Sequence, residues 1–481
     1  MSPDLQAVLP EVIVAATGTL LLVVDAALRR DDAERWLPAL TVAGLAGALA
    51  AAALAGPSGT FFNGFVQVDG LAGFFRVVFL VLAILGVAIA PSYLKRSGIL
   101  PAEYYATLCF STLGSMAIAL STDLILLFVG IELMTIPVYV LAGIQRRDQY
   151  SNEAALKYFL LGAFSSAVLL YGFAWLYGIA GSTEFAAIAG AVAREGLSGT
   201  VVVAAALVTA GLAFKAAVIP FHQWTPDAYD GAPTPATAFM SVAPKAAAFA
   251  AILRLMVEGL GPLSVDWSTL FAVLALITMT GGNVVALAQS NVKRMLAYSS
   301  IAHTGYILAG VAAIAAGASA TAGVLFYLLA YGLMNLGAFA CLVYLDLDGT
   351  RGASLRELDG LWARTGIGAL AFTVFLVSLT GIPPTMGFVA KVLIIQPVLE
   401  AGLVWLAVAI ALNAVLAAFY YLRVVVHLYM QDPQPGAPRV VSAPLLSFTL
   451  GLTALAVIAF GVVPDVVYAW ALEAAAPLAV P

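Results

Sequence analysis

Six ionisable side chains stand inside apolar stretches of this sequence: Glu132, Lys215, Lys245, Lys391, His222 and His303. A charge at the centre of a lipid bilayer costs roughly 2.5–3.5 kcal/mol on insertion scales, so each one needs a reason to be there. Glu132 follows Asp123 in STDLILLFVGIELMTIPVYVLAG, which puts it about 13 Å along a helix and near the middle of a core about 30 Å thick. Lys215 ends a long apolar run just before Pro220, Lys245 follows the helix-starting Pro235, and Lys391 lies beyond Pro384. Burial favours the neutral form of a lysine and a nearby carboxylate favours the charged form. A lysine whose glutamate partner moves or is neutralised is therefore a switchable proton carrier. The competing reading is an ion pair that only fixes helix packing, or a lysine snorkelling to the interface, which Lys391 fits better than the other three. Helix axes in contact are already about 8–10 Å apart, so protons pass between such groups only through hydroxyls or water. His222, just after Pro220, and His303, in AYSSIAHTGYILAG, are candidate relays because imidazole titrates near neutral pH; each reads equally well as a neutral, packed histidine.

The elements that must position these groups are membrane helices. Of 481 residues, 63% are hydrophobic and only 10% charged, against about 25% charged in soluble domains. The fold class is an all-α polytopic membrane protein. Apolar runs of spanning length, divided by Pro, Gly or charge, predict about fourteen spans between residues 7 and 470. Loops after odd-numbered spans carry Arg29, Arg30, Arg35, Lys95, Arg96, Arg146, Arg147, Lys293, Arg294, Arg351, Arg356 and Arg439. Those after even-numbered spans hold little beyond Arg194, with Arg254 at a span end. The positive-inside rule then places the odd loops in the cytoplasm and both termini outside. Arg76, Lys157, Arg423 and His427, near span ends, read as snorkelling side chains. Asp227 and Asp230 read either as turn caps or as proton feeders.

Spans seven (200–230) and twelve (365–400) are too long for one crossing. They carry Pro220 and Pro226, and Gly381, Pro383, Pro384 and Gly387, so both helices should be discontinuous. Irregular backbone at that depth is tolerated only where it is buried in protein or lines a wet cavity. Residues 114–143 and 281–310 align at a constant offset, matching Gly114 with Gly281, Tyr139 with Tyr306, and Leu141-Ala142-Gly143 with Leu308-Ala309-Gly310. Such matches are cheap alone in an Ala/Leu/Gly-rich chain. With the paired broken helices they fit two inverted five-helix repeats, spans 4–8 and 9–13. The expected division is residues 1–103 for helices 1–3, 104–260 and 261–430 for the repeats, and 431–481 for helix 14.

Other functions fall away on composition and motifs. A net charge of −5 without a basic tract argues against nucleic-acid binding. Cys109 and Cys341 are isolated in apolar runs, so no iron–sulfur, haem or zinc framework is expected, and no metal or cofactor in this chain. The N-terminus lacks the positive region of a cleaved signal, so the first apolar run is expected to be a span. No HExxH, GxSxG, Walker-type GxxxxGK or CxxC occurs.

Four stretches carry a resemblance: ELMTIPVYVLAG (132–143), FKAAVIPFHQWTPDAYDGAPTP (214–235), NVKRMLAYSSIAHTGY (291–306) and SLTGIPPTMGFVAK (378–391). They resemble the antiporter-like membrane subunits of respiratory complex I, the proton-pumping NADH:quinone oxidoreductases. LPEVIVAATGTLLLVVDAAL near the start and EYYATLCFSTLGSMAIALSTDL before Glu132 resemble the N type in particular. The resemblance implies that Glu132 pairs with Lys215, that Lys245 is the central carrier and that Lys391 leads toward the far end of the path. It implies no cofactor in the chain, energy from quinone reduction elsewhere in the complex, and neighbouring membrane-arm subunits as partners in a bacterial inner membrane. A subunit of a multisubunit cation/proton antiporter resembles the same core and is the alternative. A structural spacer with buried ion pairs is the third reading.

Overall fold

The computed structural model describes residues 2–54, 56–345, 354–433 and 443–478. Arg351 and Arg439 of the basic loops lie outside the described residues. Helices α1 (Leu9–Asp25), α2 (Arg30–Ala53) and α3 (Gly70–Ile89) precede α4 (Pro101–Leu120), α5 (Leu124–Ala142) and α6 (Gln149–Ala180). Then come α7 (Gly199–Ala216), α8 (Trp224–Gly231), α9 (Thr234–Met240) and α10 (Ala243–Ile252), which continues as a π-helix over Leu253–Gly259. The rest is α11 (Ser264–Leu287), α12 (Val292–Ala315), α13 (Thr321–Leu345), α14 (Gly366–Thr380), α15 (Met386–Glu400), α16 (Val404–Met430), α17 (Pro444–Val462) and α18 (Asp465–Ala475). Among the described residues, eleven helices are long and apolar enough to cross a membrane. One feature goes beyond the all-α expectation: a small hairpin pairs β1 (Gly59–Phe61) with β2 (Val66–Val68), turning at Asn63-Gly64 with Asn63 at φ 55°.

Three spanning segments form the core. Thr234–Gly259 is buried throughout, and α12 and α13 nearly so, whereas α2 and α17 are mostly exposed. Where helices meet most closely, small residues let backbones approach, since lipid supplies no hydrophobic drive between helices. At Gly114 a Cβ would land on the backbone of Leu133 and Met134, so α4 and α5 cross in direct contact. Gly282 on Ala302, and Gly305 on Met279, do the same for α11 and α12.

Both long spans are broken, and both breaks close alike. Helix α7 ends as Ala217 turns left-handed at φ 62° and Val218 N–H donates back to the Ala213 carbonyl at 2.8 Å. Helix α14 ends at Gly381, φ 87°, with Ile382 N–H donating to the Val377 carbonyl at 3.2 Å. This six-to-one closure satisfies carbonyls that the missing turn would orphan. Glycine meets the left-handed requirement at no steric cost, whereas alanine at 217 carries about 1–2 kcal/mol of strain. Pro220 and Pro384 follow in cis peptide bonds. The first break is fastened from outside its own helix: Ile219 N–H donates to Thr278 Oγ1 at 3.1 Å, and Trp224 Nε1 to the Phe214 carbonyl at 3.0 Å.

Arg76, read as snorkelling, is instead buried, and Arg254 is buried at its span end. Arg76 is 5% exposed and donates to Glu11 at 2.7 and 2.9 Å and to the Ala7 carbonyl at 2.7 Å. Arg254 is fully buried and forks onto Asp69. The correction has one physical cause: acids on distant helices give each guanidinium a partner inside the protein, so neither needs to reach the interface. His427, likewise read as snorkelling, pairs with Asp359 at 2.5 Å, and Lys157 and Arg294 share Asp227 at 2.9 Å each.

Candidate proton-transfer site

Glu132 sits on α5 on the same face as exposed Val129 and Ile136, one turn to either side, its own side chain 24% exposed; Lys215, on the last turn of α7, is 2% exposed. Their closest approach, Lys215 Nζ to Glu132 Oε1, is 3.8 Å, too long for a hydrogen bond. Ser166 of α6 fills the step. Its hydroxyl donates to Glu132 Oε1 at 2.6 Å and accepts from Lys215 Nζ at 2.9 Å. The predicted pair is therefore a triad, and a rotating hydroxyl is a group through which a proton can pass. Nothing in the sequence marked Ser166, because which turn of α6 faces α7 is a tertiary outcome.

Lys245, on α10, has no carboxylate partner among the described residues. Its ammonium donates to Ser300 O at 2.6 Å, Ser300 Oγ at 2.5 Å and Thr304 Oγ1 at 2.8 Å, which uses all three protons. Every acceptor is on α12. Thr304 Oγ1 in turn donates to the Ala216 carbonyl at 3.0 Å, the residue after Lys215. One hydroxyl thus touches both the break in span seven and the central lysine.

Beyond Lys245 the polar stripe runs along α13. Tyr331 Oη donates to Ser300 Oγ at 2.7 Å, its ring lies 5.3 Å from Lys245 Nζ, and Asn335 Nδ2 donates to Ser241 Oγ at 2.8 Å. His303 is buried, with Nδ1 at 2.8 Å from Tyr327 Oη and Nε2 at 3.4 Å from Tyr421 Oη. It lies among the lysines' neighbours, its ring 5.3 Å from that of Tyr331. Tyr327, Tyr331 and Asn335 recur every four residues in an otherwise apolar helix, a spacing that marks one stripe and was available from sequence alone. His222 is different. It stands half-buried in the turn after Pro220, and among the described residues no hydrogen bond ties it to either lysine.

Lys391, on α15, reaches back across the second break. Nζ donates to the Thr380 carbonyl at 2.6 Å and the Leu379 carbonyl at 3.2 Å, and stands 5.0 Å from the Tyr306 ring centre. It caps the negative end of α14, where a cation is favoured. A Cβ on Gly381 would meet the Lys391 side chain at 2.8 Å, so the glycine supplies both the turn and the space. Steps from Lys245 through His303 to Lys391 exceed hydrogen-bond length, and a bridging water is the physical means of crossing them.

Replacing Ser166 with alanine is expected to lower proton-coupled turnover about tenfold, the scale of a lost hydrogen bond to a charged group, while assembly is unchanged. Ser166→Thr, which keeps the hydroxyl, should retain most of the rate. Proton uptake per electron in vesicles checks both; equal rates for Ala and Thr would remove the hydroxyl from the path.

A bundle of apolar helices with two interrupted spans and a row of buried lysines defines the antiporter-like class of membrane proteins. In agreement, the family described as NADH:quinone oxidoreductase/Mrp antiporter, transmembrane, matches residues 121–417. Subunit N of NADH-quinone oxidoreductase from Trichlorobacter lovleyi is 43% identical over 478 residues, 98% of this chain and 97% of the relative. Subunit N 1 from Solibacter usitatus is 43% identical over 476 residues, 98% and 97% of the two chains. The chain belongs to the NADH-quinone oxidoreductase subunit N family. A chain of respiratory complex I from Thermus thermophilus superposes with a TM-score of 0.82 at 34% identity, covering 96% of this chain and 98% of that one. The Mrp complex from Dietzia sp. gives 0.85 at 24% identity over 100% and 98%, a likeness of fold.

Proposed function

We propose that this chain is the N-type proton-translocating subunit in the membrane arm of a bacterial NADH:quinone oxidoreductase. It crosses the inner membrane fourteen times in two inverted five-helix repeats, with both termini outside and neighbouring membrane-arm subunits and lipid around it. The Glu132–Ser166–Lys215 triad sets proton affinity at one end, Lys245 relays at the centre and Lys391 passes the proton on, with His303 between the two lysines. His222 has no such support in the geometry. Quinone reduction elsewhere in the complex drives the transfer, and this chain supplies no cofactor to it.

The observation that carries the proposal is the setting of Lys245. A lysine serving only as a packing ion pair needs a carboxylate, because an uncompensated buried charge is destabilising. Three neutral acceptors let Lys245 gain and lose its proton without breaking a charge pair. The nearly full-length identity to subunit N relatives favours redox-driven pumping over the cation/proton antiporter.

The test is to tag the chain at its C-terminus, purify it in mild detergent and assay the eluate. NADH-dependent quinone reduction with iron–sulfur absorbance from co-purifying subunits is the expected result. A colourless eluate of antiporter-like subunits alone, active in sodium-dependent proton exchange, would overturn the assignment.

A further inference from the structure

An open cleft with a charged mouth lies where α5 ends and α6 begins, beside the Arg146–Arg147 loop, and no role described so far uses it. It encloses about 280 Å³ and is lined by Glu103, Tyr139, Gly143, Arg146, Asn152 and Ala155, with two aliphatic side chains. A single water needs only about 10–15 Å³ of such space, so the cleft holds several. The mouth is charged: Arg146 reaches Glu103 at 3.1 Å, with both side chains exposed. Exposed pairs of this kind are weak and open readily. The inner wall is Tyr139, 7% exposed, whose hydroxyl is buried and makes no hydrogen bond among the described residues.

We propose that this cleft is the solvent inlet that delivers protons to Glu132. The inference rests on the reading of Glu132 as a proton carrier. Tyr139 and Glu132 lie two turns apart on one stripe of α5, about 10 Å along the axis. Thr135 stands between them, beside the Tyr139 hydroxyl, and its own hydroxyl donates to the Ile131 carbonyl at 2.7 Å. A buried phenol beside Thr135 and next to a cleft with a charged mouth is where ordered water belongs, and such water links the cleft to Thr135 and the carboxylate. The neighbouring helix makes room for this tyrosine: a Cβ on Gly162 of α6 would fall on the Tyr139 hydroxyl. The contrast with the matched stretch is direct. Tyr306, the counterpart of Tyr139, has its hydroxyl tied by Asn283 Nδ2 at 3.0 Å, so only the first tyrosine is free to serve water.

The test uses the whole complex in inside-out membrane vesicles. Ala155→Cys places a thiol in the cleft wall, and the chain's own Cys109 and Cys341 are 0% and 3% exposed, so labelling of this chain reports the new thiol. A charged methanethiosulfonate added from the cytoplasmic face is expected to label Cys at 155 and to lower proton-coupled quinone reduction at least threefold. Tyr139→Phe removes a hydroxyl that holds nothing in place, so assembly should be normal while turnover falls at least threefold and the solvent deuterium isotope effect rises. Complete labelling at an unchanged rate, labelling only from the opposite face, or a Tyr139→Phe complex at wild-type rate would each overturn the inlet. Failure of the underlying reading shows separately, as intact pumping in a Glu132→Gln complex whatever the cleft results.

Discussion

Lys245→Met is expected to reduce proton pumping per NADH oxidised by more than tenfold while the complex assembles at normal levels. Methionine keeps much of the volume and removes the ammonium. The groups left behind are not orphaned: Ser300 Oγ still accepts from Tyr331, Thr304 Oγ1 still donates to the Ala216 carbonyl, and the Ser300 carbonyl keeps Thr304 at 3.2 Å. The cost therefore falls on transfer and not on folding. Lys245→Arg sharpens the test, because guanidinium keeps the charge but does not release its proton near neutral pH. If the lysine is a carrier, arginine fails as methionine does. A pumping Lys245→Arg complex would show that positive charge alone is what the site requires, and normal pumping by Lys245→Met would remove the residue from the mechanism.

The largest effect on stability is expected at Arg254, which has no part in the proposed path. Its guanidinium is fully buried and donates to Asp69 at 2.7 and 2.8 Å, to Glu258 at 2.7 Å and to the Ala119 carbonyl at 3.0 Å. Arg254→Leu leaves two largely buried carboxylates facing each other without a cation. Removing one partner of such a buried cluster costs about 3–5 kcal/mol, a large part of the roughly 5–15 kcal/mol that holds a protein folded. The expected outcome is loss of the subunit from assembled complex, read by immunoblot of native gels and by thermal melting. Asp69→Asn should be milder, since the amide oxygen can still cap α3, where Asp69 Oδ1 accepts from Ala72 N–H at 2.8 Å. Normal assembly and melting of Arg254→Leu would show that the cluster contributes nothing net.

The broken helices were legible because proline and glycine act locally: each removes a donor or permits a left-handed turn wherever it falls. The burial of Lys215 and Lys245 was legible from the apolar runs that surround them. Their hydrogen-bond partners were not. Ser166, Ser300 and Thr304 are ordinary hydroxyls in apolar helices, and only packing decides which of them faces a lysine. Arg76 was misread because a rule based on distance from a span end knows nothing of an acid 65 positions away in the chain, and the partner of Arg254, 185 positions away, was hidden for the same reason. The hairpin at Gly59–Val68 did leave a signal, Asn63-Gly64 between alternating residues, hidden by the expectation that the chain is helical throughout.

The central lysine and its acceptors belong to different parts of the bundle: Lys245 is carried by α10, and Ser300 and Thr304 by α12. The same α12 threonine holds the carbonyl at the end of α7. Any sliding of α12 against α7 and α10 by even an ångström must loosen both attachments together. On the proposed reading of Lys245 as a carrier, the site would work as a strain gauge as well as a relay, a small mechanical displacement between helices changing how firmly one proton is held.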